Sequence, residues 1–253
     1  MNHSNAIEST ARGSVYRFAA LGFAPPEPSV LFQLRGQLHL LETSLEVLRD
    51  RDSLELAERI RAVFERIAID DLKASHLHCF GHTISKECPP YESEYNQTHI
   101  FEKSQSLADI AGFYKAFGLN LAPDLNDRLD HISVELEFMQ FLCLKEAYAV
   151  AEHHDQEKLA LCRDAQLKFL DEHLGCWAFG FVRRLKNRSG DGLHGLIGEM
   201  LVAFLTGEMR RFGLEPGGEV ELALQETPEE EIAGCHTCTF AGVPGGFEQG
   251  ESP

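Results

Sequence analysis

The sequence predicts an all-α fold: a single helical-bundle domain over residues 1–212, followed by an acidic tail over residues 213–253. Three observations predict it. Apolar residues recur at three- and four-residue intervals through most of the first 212 positions, the period of a helix buried along one face. No alternating run bounded by hairpin turns stands out, Gly218–Gln225 being the one short candidate strand. Beyond Arg211 the chain has no Lys or Arg and becomes rich in Gly, Pro and Glu, the composition of a flexible segment.

Residues Ala6 to Leu21 place Tyr16, Phe18, Ala19 and Leu21 on an amphipathic helix ended by Gly22 and the Pro25-Pro26 pair. From Pro28, the positions Val30, Leu31, Leu34, Leu38, Leu41, Leu45 and Leu48 keep a helical period. Asp52 or Ser53 is placed to cap the next helix, with Leu54, Leu56, Ile60, Val63, Phe64 and Ile67 turned inward. From about Asp71 to Lys103 the pattern breaks at Gly81, Pro89 and Pro90, which reads as a long loop of the kind that often carries function. A short helix from Ser106 to Phe117 stops at Gly118. The central element, from Asp124 to about His154, alternates Leu125, Leu129, Ile132, Leu136, Met139 and Cys143, with Phe138, Leu142 and Leu144 widening the stripe. Some 30 helical residues would reach roughly 45 Å, the spine of a bundle. Helices over Gln156–His173, Cys176–Leu185 and Leu193–Phe212 complete it.

At 253 residues and 43% hydrophobic content the chain is long enough for a substantial core. Its apolar runs fall far short of the roughly 20 residues that span a bilayer. The segment Met1 to Glu8 lacks the basic stretch and apolar block of a secretory signal. The seven cysteines are scattered without a disulfide framework, which favours a reducing compartment. The expectation is a cytoplasmic protein with no membrane insertion. A net charge of −17 argues against duplex nucleic acid, whose phosphates need clustered Lys and Arg. It suits either a cationic partner or plain solubility. Much of it belongs to the tail, through Glu215, Glu219, Glu221, Glu226, Glu229, Glu230, Glu231, Glu248 and Glu251.

Two segments are unusual: Pro89-Pro90-Tyr91-Glu92-Ser93-Glu94-Tyr95, and Asp130-His131-Ile132-Ser133-Val134-Glu135-Leu136-Glu137-Phe138-Met139. An Asp near a helix start favours the macrodipole, and a following His can satisfy nearby backbone groups. His131 and Glu135 stand four residues apart, so a surface pair between them is one expectation. A metal site would need at least a third ligand, which this segment does not supply. A structural role and partner binding both remain open on these residues alone, ahead of catalysis.

Together the two segments resemble the signature of the TorD/DmsD/NarJ family of molybdoenzyme maturation chaperones. The family's central helix carries a Pro-x-Asp-His-x-x-x-Glu-Leu-x-Phe-type motif, matched here by Asp130, His131, Glu135, Leu136 and Phe138. The proline is absent, Arg128-Leu129 standing there instead. Tyr91, Glu92, Ser93, Glu94 and Tyr95 look like the family's Tyr-Glu-Ser-Glu-Tyr-type segment. Phe169-Leu170-Asp171-Glu172-His173-Leu174 with Trp177 is similar to a His-Leu…Trp stretch after the motif helix. Tyr16, Arg17 and Pro26 sit where the family has an aromatic-basic helix followed by prolines, so the resemblance spans roughly residues 10 to 212.

The resemblance implies a helical bundle of the TorD/DmsD/NarJ type and a non-enzymatic, cytoplasmic chaperone. Its partners would be the apo catalytic subunit of a molybdopterin oxidoreductase and any twin-arginine signal peptide that subunit carries. It would assist cofactor insertion and assembly before export. No cofactor would be held tightly, the client's molybdopterin guanine dinucleotide being handled indirectly. The subgroup serving type II dimethyl sulfoxide reductase relatives, nitrate, selenate and chlorate reductases among them, looks closest. Client binding would fall to Tyr91, Glu92, Glu94, Tyr95, Asp130, His131, Glu135 and Trp177. Of these, Tyr91, Tyr95 and Trp177 would wall an apolar groove, while the acids would meet paired arginines.

A competing reading is a zinc-binding or thiol-redox protein. His76, His78, Cys79, His82 and Cys88 crowd one segment, and Cys235-His236-Thr237-Cys238 is a CxxC. A lone CxxC outside a βαβ context carries little, so no metal site is assigned. Gly190-Asp191-Gly192-Leu193-His194-Gly195 satisfies GxGxxG but follows no buried strand, so Gly192, Gly195 and Gly198 are read as letting helices approach closely.

Overall fold

The computed structural model describes residues 2–81, 87–95, 100–119, 128–152 and 156–217, and helix is the regular structure of nearly all of them. α1 (Asn2–Phe23) lies along α6 (Ile132–Ala151), and α2 (Pro28–Leu48) packs beside α1. α2 opens on a proline, whose missing N–H costs nothing in the first turn. It buries Leu31, Leu34, Leu38, Leu41 and Leu45, the stripe its spacing predicts.

α3 (Arg51–Phe64) is capped by Asp50, rather than by the expected Asp52 or Ser53. Asp50 has extended backbone geometry, so its carboxylate turns back to accept from Ser53 N at 3.1 Å and Ser53 Oγ at 2.6 Å. α4 (Ile69–Phe80) corrects the loop expected from Asp71 onward. Only Leu72, Cys79 and Phe80 are buried on it, too thin an apolar period to register as a helix. α5 (Ile100–Ala116) likewise begins inside the expected loop and stops, as expected, before Gly118, whose φ is +73°.

α6 is shorter than the predicted spine, 20 residues starting at Ile132 and so about 30 Å long. Asp130 and His131 lie in the turn before it, and Leu125 of the predicted stripe lies outside the described residues. α7 (Gln156–Phe169) runs into a π-helical turn, Leu170–Leu174, and on into α8 (Gly175–Ser189). The break expected between His173 and Cys176 is therefore a change of winding. Gly175 is required there, since a Cβ would stand 2.3 Å from the Leu170 carbonyl oxygen.

Phe138 of α6 ties α5 to α7, its ring 4.8 Å from both Tyr114 and Phe169. α1 reaches the far helices through Tyr16 against Phe204 and Phe23 against Phe181. α9 (Leu193–Arg211) packs on α8 and α3. Gly198 faces Val182 and Leu185 there, as expected of it, whereas Gly192 and Gly195 lie against the Ser189–Gly190 turn rather than a second helix. Past α9, Leu214 packs on the core, and a Cβ at Gly217 would stand 2.8 Å from the Gly175 carbonyl oxygen. Residues 213–217 thus belong to the bundle rather than to a tail. Residues 218–253, with the Gly218–Gln225 candidate strand, lie outside the described residues. Among the described residues no helix is long and apolar enough to cross a membrane.

Candidate functional site

The two unusual segments meet. Tyr91 and His131 form an isolated antiparallel bridge, in which Ile132 N donates to Pro90 O and Glu92 N to Asp130 O, both at 2.9 Å. A single 3₁₀ turn, Glu92–Glu94, follows the bridge. Ser93 N in that turn donates to Asp130 Oδ2 at 3.1 Å. His131 is the N-cap of α6, its Nδ1 accepting from Ser133 N at 3.2 Å. The helix start that a proline would otherwise fix is thereby set by the bridge and the cap.

Arg128 holds the turn together. Its Nε and Nη2 donate to the two oxygens of Asp130 at 3.0 and 2.8 Å, a bidentate pair. Its guanidinium also reaches Ser93 Oγ and Glu94 Oε1, and lies 4.5 Å from the centre of the Tyr91 ring, a cation–π geometry. Glu94 also accepts from Lys103 Nζ at 3.0 Å.

Behind the turn lies a buried polar chain. Trp177 Nε1 donates to Glu135 Oε2 at 3.0 Å. Glu92 accepts from Ser106 Oγ at 2.6 Å, and His173 Nδ1 stands 3.1 Å from Glu92 Oε1. Burial pushes the Glu135 carboxyl well above its usual range and the Glu92 charge raises it further, with the Trp177 bond acting the other way.

The fold thus gathers all eight predicted client-binding residues, but most of them inside it. Asp130, Glu135 and Trp177 are wholly buried, and Tyr95 nearly so, its hydroxyl donating to Pro89 O at 2.9 Å. The groove expected between Tyr91, Tyr95 and Trp177 is closed, because Tyr95 packs on Trp177 at 5.2 Å. The expected surface pair of His131 with Glu135 is also replaced: Glu135 turns inward to Trp177 and His131 caps the helix. The acids expected to be open to arginines are spoken for at Asp130 by Arg128. Tyr91 and Glu94 remain half-buried at the rim.

Sequence reasoning passed over a second buried network. Arg12 donates to both Glu208 oxygens at 2.8 Å through Nε, to Glu146 Oε2 at 3.0 Å and to Gln166 Oε1 at 2.6 Å. Tyr16 adds a hydroxyl to Glu208, and Arg163 a bond to Glu146 at 2.7 Å. Burial acts to raise Glu146, but bonds from Gln166 and Arg163 and the charge of Arg12 outweigh it and hold it below the usual carboxylate value. The network borders a cavity of about 410 Å³ lined by Glu8, Ser9, Arg163 and Arg211 among others. Its signal in the sequence was an arginine on the apolar face of α1, one turn before Val15 and Tyr16.

The described residues of the competing metal and thiol reading do not converge on one ion. His78 Nε2 lies 3.1 Å from the Arg188 carbonyl oxygen, while His76 meets Phe80 edge-on. Burial pushes the Cys79 thiol up to about 11 and Cys88 up to about 12, the opposite of a reactive thiolate. His82, Cys235 and Cys238 lie outside the described residues. Among the described residues, the acidic and histidine ligand atoms that do converge are those of Asp109, Glu172 and His173.

The profile of the nitrate reductase delta subunit family matches residues 48–183. The perchlorate reductase assembly chaperone protein of Dechloromonas aromatica is 29% identical over 178 residues, covering 67% of this chain and 75% of that protein. The selenate reductase assembly chaperone protein of Thauera selenatis is 35% identical over 107 residues, 42% of this chain and 53% of that one. The chaperone protein TorD of Aliivibrio salmonicida is 22% identical over 173 residues, 68% of this chain and 72% of that one.

Proposed function

The chain belongs to the nitrate reductase delta subunit family, the maturation chaperones of TorD/DmsD/NarJ type, and from that premise we propose that it captures the apo catalytic subunit of a molybdopterin oxidoreductase. It holds this client, shields any twin-arginine signal, and keeps the apo-enzyme receptive to its bis-molybdopterin guanine dinucleotide before export. The assembly chaperones of perchlorate and selenate reductases among its relatives support a client of the type II dimethyl sulfoxide reductase group. The role is that of a cytoplasmic holder, not a catalyst.

The observation that carries this reading is the bridged turn that joins both family motifs. Its buried members, Glu92, Tyr95, Asp130, Glu135 and Trp177, act as supports, while Tyr91, Glu94 and the edge of His131 form the rim that meets the client. An incoming arginine competes for Glu94, where the Arg128 contact is long at 3.4 Å. Exposed ion pairs contribute only about 0.2–1 kcal/mol each, against about 8 kcal/mol for a micromolar complex. Apolar contact must supply most of the affinity, and with Tyr95 and Trp177 closed in it must come from elsewhere. Exposed side chains such as Phe32 and Leu40 on α2, and Leu144 and Tyr148 on α6, offer it.

The test is affinity capture of the chain from its native host under reducing conditions, with mass spectrometry of what co-purifies. A molybdopterin oxidoreductase subunit in near-equal amount is the expected result. Glu94→Gln and Tyr91→Ala should lower its yield several-fold while the helical circular dichroism is unchanged. Recovery of the chain without any oxidoreductase, or undiminished capture by both variants, refutes the proposal.

A further inference from the structure

We propose that Asp109, Glu172 and His173 form a binding site for one divalent transition-metal ion of the Mn²⁺ to Zn²⁺ class. Asp109 stands on α5, and Glu172 and His173 on the π-helical turn between α7 and α8. Departures from regular helix of this kind recur at functional sites. One ligand atom from each of the three residues lies within 4.8 Å of the other two. Neighbouring ligands each about 2.1 Å from a common ion lie about 3.0–3.5 Å apart. A turn of about 1 Å by the two exposed carboxylates, Asp109 and Glu172, closes the set.

His173 supplies the observation that exposed acids alone would not. Its side chain is 3% exposed, yet Nε2 has no hydrogen-bond partner among the described residues and stands 3.6 Å from Asp109 Oδ2. The other ring nitrogen, Nδ1, faces the Glu92 carboxylate at 3.1 and 3.2 Å. A carboxylate accepts, so Nδ1 donates to Glu92, and Nε2 is the ring nitrogen left facing Asp109. A histidine oriented by a carboxylate behind it, with the far nitrogen offered outward, is the arrangement that metal-binding histidines use. Glu92 is itself fixed by Ser106 Oγ, so the orienting group is held in turn.

The donor set chooses the ion. One imidazole and two carboxylates suit Mn²⁺, Fe²⁺, Co²⁺ or Zn²⁺, and contain no sulfur for a softer metal. Cys176 is close in sequence, but its thiol donates to the Asp171 carbonyl and is pushed up to about 11 by burial. Three protein ligands at a surface leave positions open for water. A bound ion would tie α5 to the turn between α7 and α8, beside the segment that holds Glu92. The site stands on its own geometry and does not depend on the chaperone reading.

The test is titration of the full chain with MnCl₂, free Mn²⁺ being read by electron paramagnetic resonance, followed by competition with ZnCl₂. The expected result is one Mn²⁺ per chain, displaced by Zn²⁺. Asp109→Asn and Glu172→Gln, both at exposed carboxylates, should each weaken binding at least tenfold without changing the circular dichroism. The Cys235→Ser/Cys238→Ser variant should bind Mn²⁺ as the parent does. No bound ion up to about 1 mM, the affinity of a merely adventitious contact, overturns the proposal. So does full affinity in the Asp109→Asn/Glu172→Gln double variant.

Discussion

Arg128 and Asp130 should respond unequally to removal, because one of the pair reaches water and the other does not. The Asp130 side chain is 0% exposed, whereas that of Arg128 is 34% exposed. Arg128→Ala leaves a buried carboxylate with Ser93 N as its remaining side-chain partner among the described residues. Breaking a buried pair this way costs about 3–5 kcal/mol, and water entering the vacated, partly open space holds the cost near the low end, about 3 kcal/mol. Asp130→Asn keeps an oxygen for Ser93 N and leaves a guanidinium that can turn to solvent, a loss of about 1 kcal/mol. For a chain of this size those losses lower the thermal midpoint by about 6–12 °C and about 2–4 °C respectively. The assay is thermal and urea unfolding at neutral pH, followed by far-ultraviolet circular dichroism. Arg128→Ala/Asp130→Asn should be more stable than Arg128→Ala alone, since it removes the stranded charge. If Asp130→Asn costs as much as Arg128→Ala, or Arg128→Ala costs no more than the roughly 1 kcal/mol of a surface pair, the reasoning fails.

Two other predictions concern the interior. Arg12→Met removes the buried cation shared by Glu208, which keeps Tyr16 and Arg211, and by Glu146, which keeps Arg163 and Gln166. Its loss in urea unfolding should sit at the low end for a broken buried pair, about 3 kcal/mol, and still exceed that of Arg17→Met, whose partner Glu137 is half exposed; equal losses would show that the network holds nothing together. Glu135 has a raised folded value, so the folded chain keeps a proton that the unfolded chain loses near the ordinary carboxyl value of about 4.3. Stability therefore falls as pH rises from there through the folded value. Glu135→Gln still accepts from Trp177 and should flatten that fall in pH-dependent unfolding; an unchanged slope would sink the assignment.

The helices with a dense apolar stripe were legible in the sequence. α2 shows five buried leucines and α9 a run from Leu193 to Met209. α4 was not, because three buried residues in twelve do not make a visible period. The start of the central helix is masked in the sequence, because Leu129 continues the stripe although its backbone belongs to the turn. The site was legible as a set of residues but not as an environment. Nothing local says that Tyr95 lies on Trp177, or that Glu92 faces His173 across the fold. In the sequence Arg128 is marked only by standing where a proline is usual. Its pairing with Asp130 exists because the bridge folds the turn, which spacing alone does not reveal.

That bridge has a further effect on what the chain tolerates. The hydrogen bonds Ile132 N to Pro90 O and Glu92 N to Asp130 O close a lariat whose loop is residues 93–129, α5 included. Its neck, and not its circumference, sets the register of α6. The entropy of closing such a loop grows only logarithmically, about 0.6 kcal/mol per doubling of length. Closure entropy alone therefore sets little limit on the length of that loop, while a single residue gained or lost between Pro89 and Glu92, or between Arg128 and Ile132, shifts every partner across the neck. α5 is itself tied to the neck, through Ser106 on Glu92, Lys103 on Glu94 and the Tyr114 hydroxyl on the Leu129 carbonyl, so the helix inside the loop and the motif residues at its base are held as one unit.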